Sequence, residues 1–231
     1  MKANQLKRAR RAARLTQTQL ASKVGKSQGY VSLLERGLRS PSMSLAKRLA
    51  KFLNLPPTAR PLTVSKRSLA RFDVDRTVKS LATLGYPGFA YLGTSDALAN
   101  PAEVLLKTLA AQRVETRVVE AMPWLLLRFT DFDQKKTLEF AHLNSLQNRL
   151  GFVVSLAKNV AEHKPEYAHR LSELDRLLSL LEPLRLARED DLGQPFRSAQ
   201  LRDWVKQNRS EAAVHWNVLT DLGTEHLAYA N

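Results

Sequence analysis

The chain has 231 residues, 44% of them apolar, which is enough for a small unit and a larger one with separate cores, and 36 basic against 22 acidic residues give it +14 at neutral pH. Cysteine is absent, which excludes disulfides and thiolate chemistry. The longest uncharged apolar run, Ala121 to Leu127, is too short for a bilayer, and the start, Met-Lys-Ala-Asn-Gln-Leu-Lys-Arg, lacks the apolar core of a signal peptide, so a soluble cytoplasmic protein with no membrane partner is expected.

Placement of the charge says more than its total. Residues 1 to 53 hold 13 Lys or Arg and one acid, Glu35, whereas residues 80 to 231 hold 17 basic and 19 acidic residues. A segment at +12 without an amphipathic membrane anchor points to nucleic acid as its partner.

Residues 4 to 14 read as a basic helix, with Leu6, Ala9 and Ala13 inward and Lys7, Arg8, Arg11 and Arg14 outward. Thr16 followed by Gln19 forms a capping box for a second helix with Leu20, Ala21 and Val24 on its inner face, and Gly25 ends it in a sharp turn. Ser27 then caps a third helix to about Arg36. On it Val31 and Leu34 face inward, and Gln28, Gly29, Ser32, Leu33 and Arg36 share the outer side. This outer face is short and mostly uncharged, as the major groove requires: an amide pairs with the N6/N7 edge of adenine, and a leucine touches a thymine methyl. Ser40 or Ser42 caps a further helix to Leu53, with Leu45, Leu49 and Phe52 or Leu53 closing the small core.

Residues 6 to 53 resemble the Cro and lambdoid-repressor helix-turn-helix family, often called Xre-like, through Leu-Thr-Gln at 15 to 17, Leu20-Ala21, Gly25, Val31-Ser-Leu-Leu-Glu35, Gly37 and Pro41. The resemblance implies a five-helix repressor-type domain whose recognition helix opens at Ser27 to Leu33. It further implies phosphate contacts from Gln17, Lys26 and Arg39, with Tyr30 in the same DNA-binding set. By the same resemblance Arg10 pairs with Glu35 as a scaffold contact. Gly29 stands where many relatives carry a polar residue, which removes one base contact. The implied partner is a double-stranded DNA operator, bound by a homodimer.

Asn54 to Pro61 carries three prolines in eight residues and reads as non-helical. The domain assignment is therefore 1–56 for DNA binding, 57–64 for a linker, and 65–231 for a larger all-helical domain, giving an all-α protein. In that second domain Ser65 to Leu84 reads as a helix ending at Gly85, and Gly85 to Gly93, rich in glycine and aromatics, as a packed loop with a short extended piece. Asn100 and Pro101 start a helix to about Gln112, and Arg113 to Thr130 follows, interrupted by Pro123. A long helix over Asp133 to Glu162, with Leu143, Leu146, Leu150, Val153, Ala157 and Val160 on one seam, pairs with a second from Tyr167 to Leu181 as an antiparallel hairpin. Arg188 to Asp191 reads as an exposed charged turn. Short helices finish the chain, one with Leu201, Trp204 and Val205 and one with Val214, Trp216, Val218 and Leu219.

One constellation bears on chemistry. Glu139-x-x-His142 and Glu166-x-x-His169 are half of a di-iron carboxylate pattern, but helical phase puts Glu139 on its seam and His169 opposite its own, so no metal or other cofactor is assigned. No H-E-x-x-H, G-x-S-x-G or phosphate-loop pattern occurs, and no catalytic residues are assigned. Leu146-Gln-Asn-Arg-Leu-Gly-Phe152 and the helical make-up resemble the partner-binding halves of abortive-infection-type antitoxins. The resemblance implies an autoregulatory repressor that neutralises a cognate toxin; the alternative is a metabolite-responsive or phage-type repressor.

Overall fold

A computed structural model of the chain describes residues 3–62, 64, 72–93, 99–194, 196, 198–227 and 229. The chain divides into two compact units, Met1–Thr63 and Val64–Asn231.

The first unit contains α1 (Ala3–Ala12), α2 (Gln17–Lys23), α3 (Gln28–Glu35) and α4 (Met43–Phe52), followed by a single 3-10 turn, Pro57–Ala59. Their boundaries are local chemistry. Thr16 and Gln19 satisfy each other's backbone N–H groups at the start of α2. The hydroxyls of Ser27 and Ser42 accept from Tyr30 and Leu45 N–H at the starts of α3 and α4, so Ser42 rather than Ser40 is the cap. Gly25 and Gly37 lie at φ +60° and +73°, the left-handed conformation that closes α2 and α3.

Leu6, Leu20, Val24, Val31, Leu34, Leu45 and Leu49 form the unit's core, and Leu55 and Ala59 are buried in it too. The proline segment therefore differs from a free linker: it makes a turn over Pro57–Ala59 and stays with the first core. Prolines at helix-start positions lose no hydrogen bond, which reconciles Pro56 and Pro57 with a turn, and Pro61 lies beyond its C-cap Arg60.

In the second unit α5 spans Val74–Leu84, α6 Pro101–Ala110 and α7 Thr116–Arg128. Of the helix expected over Ser65 to Leu84, residues 65–71 lie outside the described ones; a helix starts at Val74, where Asp73 is extended and its carboxylate accepts from Arg76 N–H. Gly85 to Gly93 contains a 3-10 segment, Pro87–Leu92, in place of an extended piece. Tyr86 and Phe89 are buried there, and Tyr86 meets Trp124 edge-on at 5.4 Å. Pro123 does not interrupt α7. Its neighbours from Ala121 to Leu127 are all buried, and packing on every side holds the helix where the proline removes one hydrogen bond.

The long helix expected over Asp133 to Glu162 is two helices, α8 (Gln134–Leu143) and α9 (Gln147–His163). Ser145 sits at φ 55°, Leu146 N–H returns to Ala141 O at 2.8 Å, and the Asn144 amide donates to Phe140 O, so a left-handed closure ends α8. Leu143 consequently leaves the seam and is 71% exposed. Helix α10 (Leu171–Leu181), preceded by a 3-10 segment from Pro165, packs along α9 through Leu174, Leu177 and Leu181.

The chain also makes two short strands, β1 (Asp190–Asp191) and β2 (Val218–Leu219), paired in parallel. They correct two expectations. Asp190 is not in an exposed turn: its side chain is 8% exposed and accepts from Arg149, whose guanidinium also donates to the carbonyls of Leu109 and Ala111. Val218 and Leu219 are strand rather than helix because α12 (Glu211–His215) ends at Trp216 and Asn217 turns at φ 52°. Helix α11 (Ala199–Asn208) buries Val205 but leaves Leu201 41% and Trp204 54% exposed. With its short strands the protein is nearly all-α, with the helix-turn-helix unit at the N-terminus.

Glu139 is exposed rather than on the α9 seam, since its helix is a separate one. It lies 3.9 Å from Lys135, one helical turn back. His142, Glu166 and His169 face solvent as well, and among the described residues no group of three or more His, Asp or Glu side chains converges on a metal position.

Candidate nucleic-acid interface

Four side chains form a relay from the scaffold to the start of α3. Arg10 grips both oxygens of Glu35, Nε to Oε1 at 2.6 Å and Nη2 to Oε2 at 2.9 Å, and its Nη1 donates to Leu15 O. The Gln17 amide donates to Glu35 Oε2 at 2.9 Å, and the Gln28 amide donates to Gln17 Oε1 at 2.6 Å. Arg10 and Glu35 are buried, Gln17 is half-buried and Gln28 is exposed, so the relay runs from core to surface.

Burial alone would raise the Glu35 carboxyl, but the hydrogen bonds from Arg10 and Gln17, with the charges of Arg10 and Lys7, outweigh it and hold the group below the ordinary glutamate range. The only acid in residues 1 to 53 is thus ionised, inside and matched. Lys7, Arg8, Arg11, Arg14, Lys26, Arg36 and Arg39 are exposed around it.

Residues 6–59 match the model of the family described as Helix-turn-helix. They are a helix-turn-helix domain of the Xre and Cro kind, and the protein is a DNA-binding transcriptional regulator. No curated protein and no solved structure matches the chain.

Within the helix-turn-helix domain, Lys26, Ser27, Gln28 and Gly29 are exposed at the start of α3, and Tyr30, Ser32 and Leu33 are half-buried along it. Gly29 has an ordinary helical backbone and open space beside it, so it is a gap in the outer face and not a steric necessity. Arg36 and Arg39 follow at the exposed C-terminal end. Two relations were not legible in the sequence. Gln17 is a bridge between Glu35 and Gln28 as well as a surface amide, and the Tyr30 ring faces two cations, Lys26 Nζ at 5.7 Å and Arg39 Cζ at 4.8 Å from its centroid. The Gln17 bridge and the Arg39 contact join residues too far apart for any local spacing rule, whereas Lys26 lies four residues before Tyr30. Among the described residues no helix is long and apolar enough to cross a membrane.

Proposed function

We propose that the protein is a sequence-specific repressor that reads its operator as a two-fold dimer through α3, and that it acts as the autoregulatory antitoxin of a toxin-antitoxin pair. The observation that carries the first part is the Gln28 amide. It stands exposed at the first turn of a capped helix, aimed by Gln17, on a domain whose single acid is buried. An amide so placed serves as the bidentate reader of adenine, while Gln17, Lys26 and Arg39 take backbone phosphates and set register. Ser27, Tyr30, Ser32, Leu33 and Arg36 complete the face laid into the groove.

The antitoxin role rests on the second unit. Leu146 to Phe152 is itself largely interior: Gln147 and Asn148 are buried, and the Asn148 amide ties to the carbonyls of Leu186 and Arg188. The motif therefore supports a shared scaffold, and contact with a protein partner belongs to exposed apolar residues such as Leu201 and Trp204, three apart on α11. Selecting duplexes from a random library tests the operator reading: enriched sequences should show two half-sites about one helical turn apart. Co-expression with the product of the adjacent coding sequence tests the antitoxin reading. Rescue of growth supports it, and a neighbour that is harmless alone would leave the metabolite-responsive or phage-type repressor in its place.

A further inference from the structure

Lys26 and Arg39 come to Tyr30 from opposite ends of α3. Lys26 precedes the Ser27 cap. Arg39 follows the left-handed closure at Gly37, where Gly37 and Leu38 N–H return to the carbonyls of Leu34 and Leu33. The Tyr30 ring packs partly against the domain core, so it is a fixed surface. Aromatic faces are electron-rich and attract a cation without neutralising it. A carboxylate partner would cancel the charge that a phosphate needs, but Glu35 is committed to Arg10.

We propose that Tyr30 is a positioning residue for DNA: its ring holds the ammonium of Lys26 and the guanidinium of Arg39 in place for the phosphates of the DNA backbone. This rests on the reading of α3 as the recognition helix. Lys and Arg lose more rotamer freedom than other side chains when they are ordered. Cations already gathered on a ring lose less of it on binding, and both retain their full charge. The ring contributes no base information, so its effect is the same on every sequence.

The test uses the full chain, a duplex selected from a random library and an unrelated duplex, with binding measured across a salt series. Tyr30→Leu should weaken binding to both duplexes alike, by about two- to fivefold for each cation it releases. The slope of log affinity against log salt should stay unchanged, because both charges remain. Lys26→Ala and Arg39→Ala should each flatten that slope by about one. Arg39→Ala should cost less in the Tyr30→Leu background than in the wild type, and Tyr30→Phe, which keeps the ring face, should retain more affinity than Tyr30→Leu. Pentafluorophenylalanine placed at position 30 keeps the ring's shape but reverses its face potential; it should weaken binding as Tyr30→Leu does, which separates the cation role from any packing defect. Wild-type affinity in that variant overturns the proposal, as would a loss in Tyr30→Phe equal to that in Tyr30→Leu, or a loss confined to the selected duplex. If the wild type selects no sequence, the recognition-helix reading itself falls; if it selects one and Tyr30→Leu binds as tightly, only the role of Tyr30 does.

Discussion

The Gln28 side chain donates to Gln17 Oε1 at 2.6 Å, and among the described residues no other bond engages its oxygen or second N–H group, which can address a base edge. Because Gln17 is held in turn by Glu35, the reading atom is aimed from the buried Arg10–Glu35 pair outward.

Gln28→Ala should therefore relax preference at one base position in each half-site, with about 1–3 kcal/mol of discrimination lost there. Lys26→Ala should weaken all sequences equally. Affinities for a library of single-base operator changes separate the two. A uniform loss in Gln28→Ala with base preferences intact would displace the recognition helix from α3.

Salt should act steeply on binding, since 13 cations in residues 1 to 53 are offset by one buried acid. Each phosphate neutralised releases counterions, and the logarithm of affinity falls linearly with the logarithm of salt. Equal affinities at low and physiological salt would contradict this.

Acid should unfold the first unit by way of Glu35. Its folded pKa is lowered, so the stability it contributes is present above the unfolded glutamate value of about 4.3 and is lost as the pH falls through the folded value. Glu35→Gln leaves Arg10 buried beside an uncharged amide and should cost about 3–5 kcal/mol at neutral pH. It should also flatten the acid limb of a thermal-unfolding series. Identical unfolding midpoints for the two proteins at neutral pH would show that the pair does not stabilise the domain.

Gly151→Ala should destabilise the second unit. A Cβ on Gly151 would overlap the ring of Trp216, which is 1% exposed and anchored by its indole N–H to Ser155 Oγ at 2.9 Å. Overpacking of this kind costs about 1–3 kcal/mol, and the tryptophan emission should shift to the red if the ring is expelled. An unchanged midpoint and spectrum would mean that α9 and Trp216 separate without loss.

The two halves differ in how far they were legible. In the first unit nearly every boundary is a contact between residues three or four apart: Thr16 with Gln19, Ser27 with Tyr30, Gly25 and Gly37 in left-handed turns. Such rules act within a few residues and can be read directly. In the second unit apolar spacing ran through Asn144 and Ser145 without a glycine or proline to mark the break, so one helix was read where there are two. The strand pair joins Asp190 to Val218, and Arg149 meets Asp190 across 41 residues; neither pairing has a local signature. Of the interface, the exposure of Gln28 followed from helical phase. The aim given to it by Gln17 did not, because that bond crosses from one helix to the next.

Order of synthesis adds a consequence of where Trp216 and Tyr229 sit. The first core is made wholly of residues between Leu6 and Ala59. The second needs Trp216 to fill the hollow at Gly151 and Tyr229 to reach Glu120 O, 109 residues back along the chain. At ribosomal speeds of about 5–20 residues per second, about 150 residues of further translation separate the two by roughly 8–30 s. During that interval a nascent chain has all the residues of its DNA-reading face but lacks the ring that completes the unit proposed to hold a toxin, and an unfilled groove on α9 is open to chaperones. A chain truncated before residue 216 would keep every residue of the first core and lack the ring that packs at Gly151.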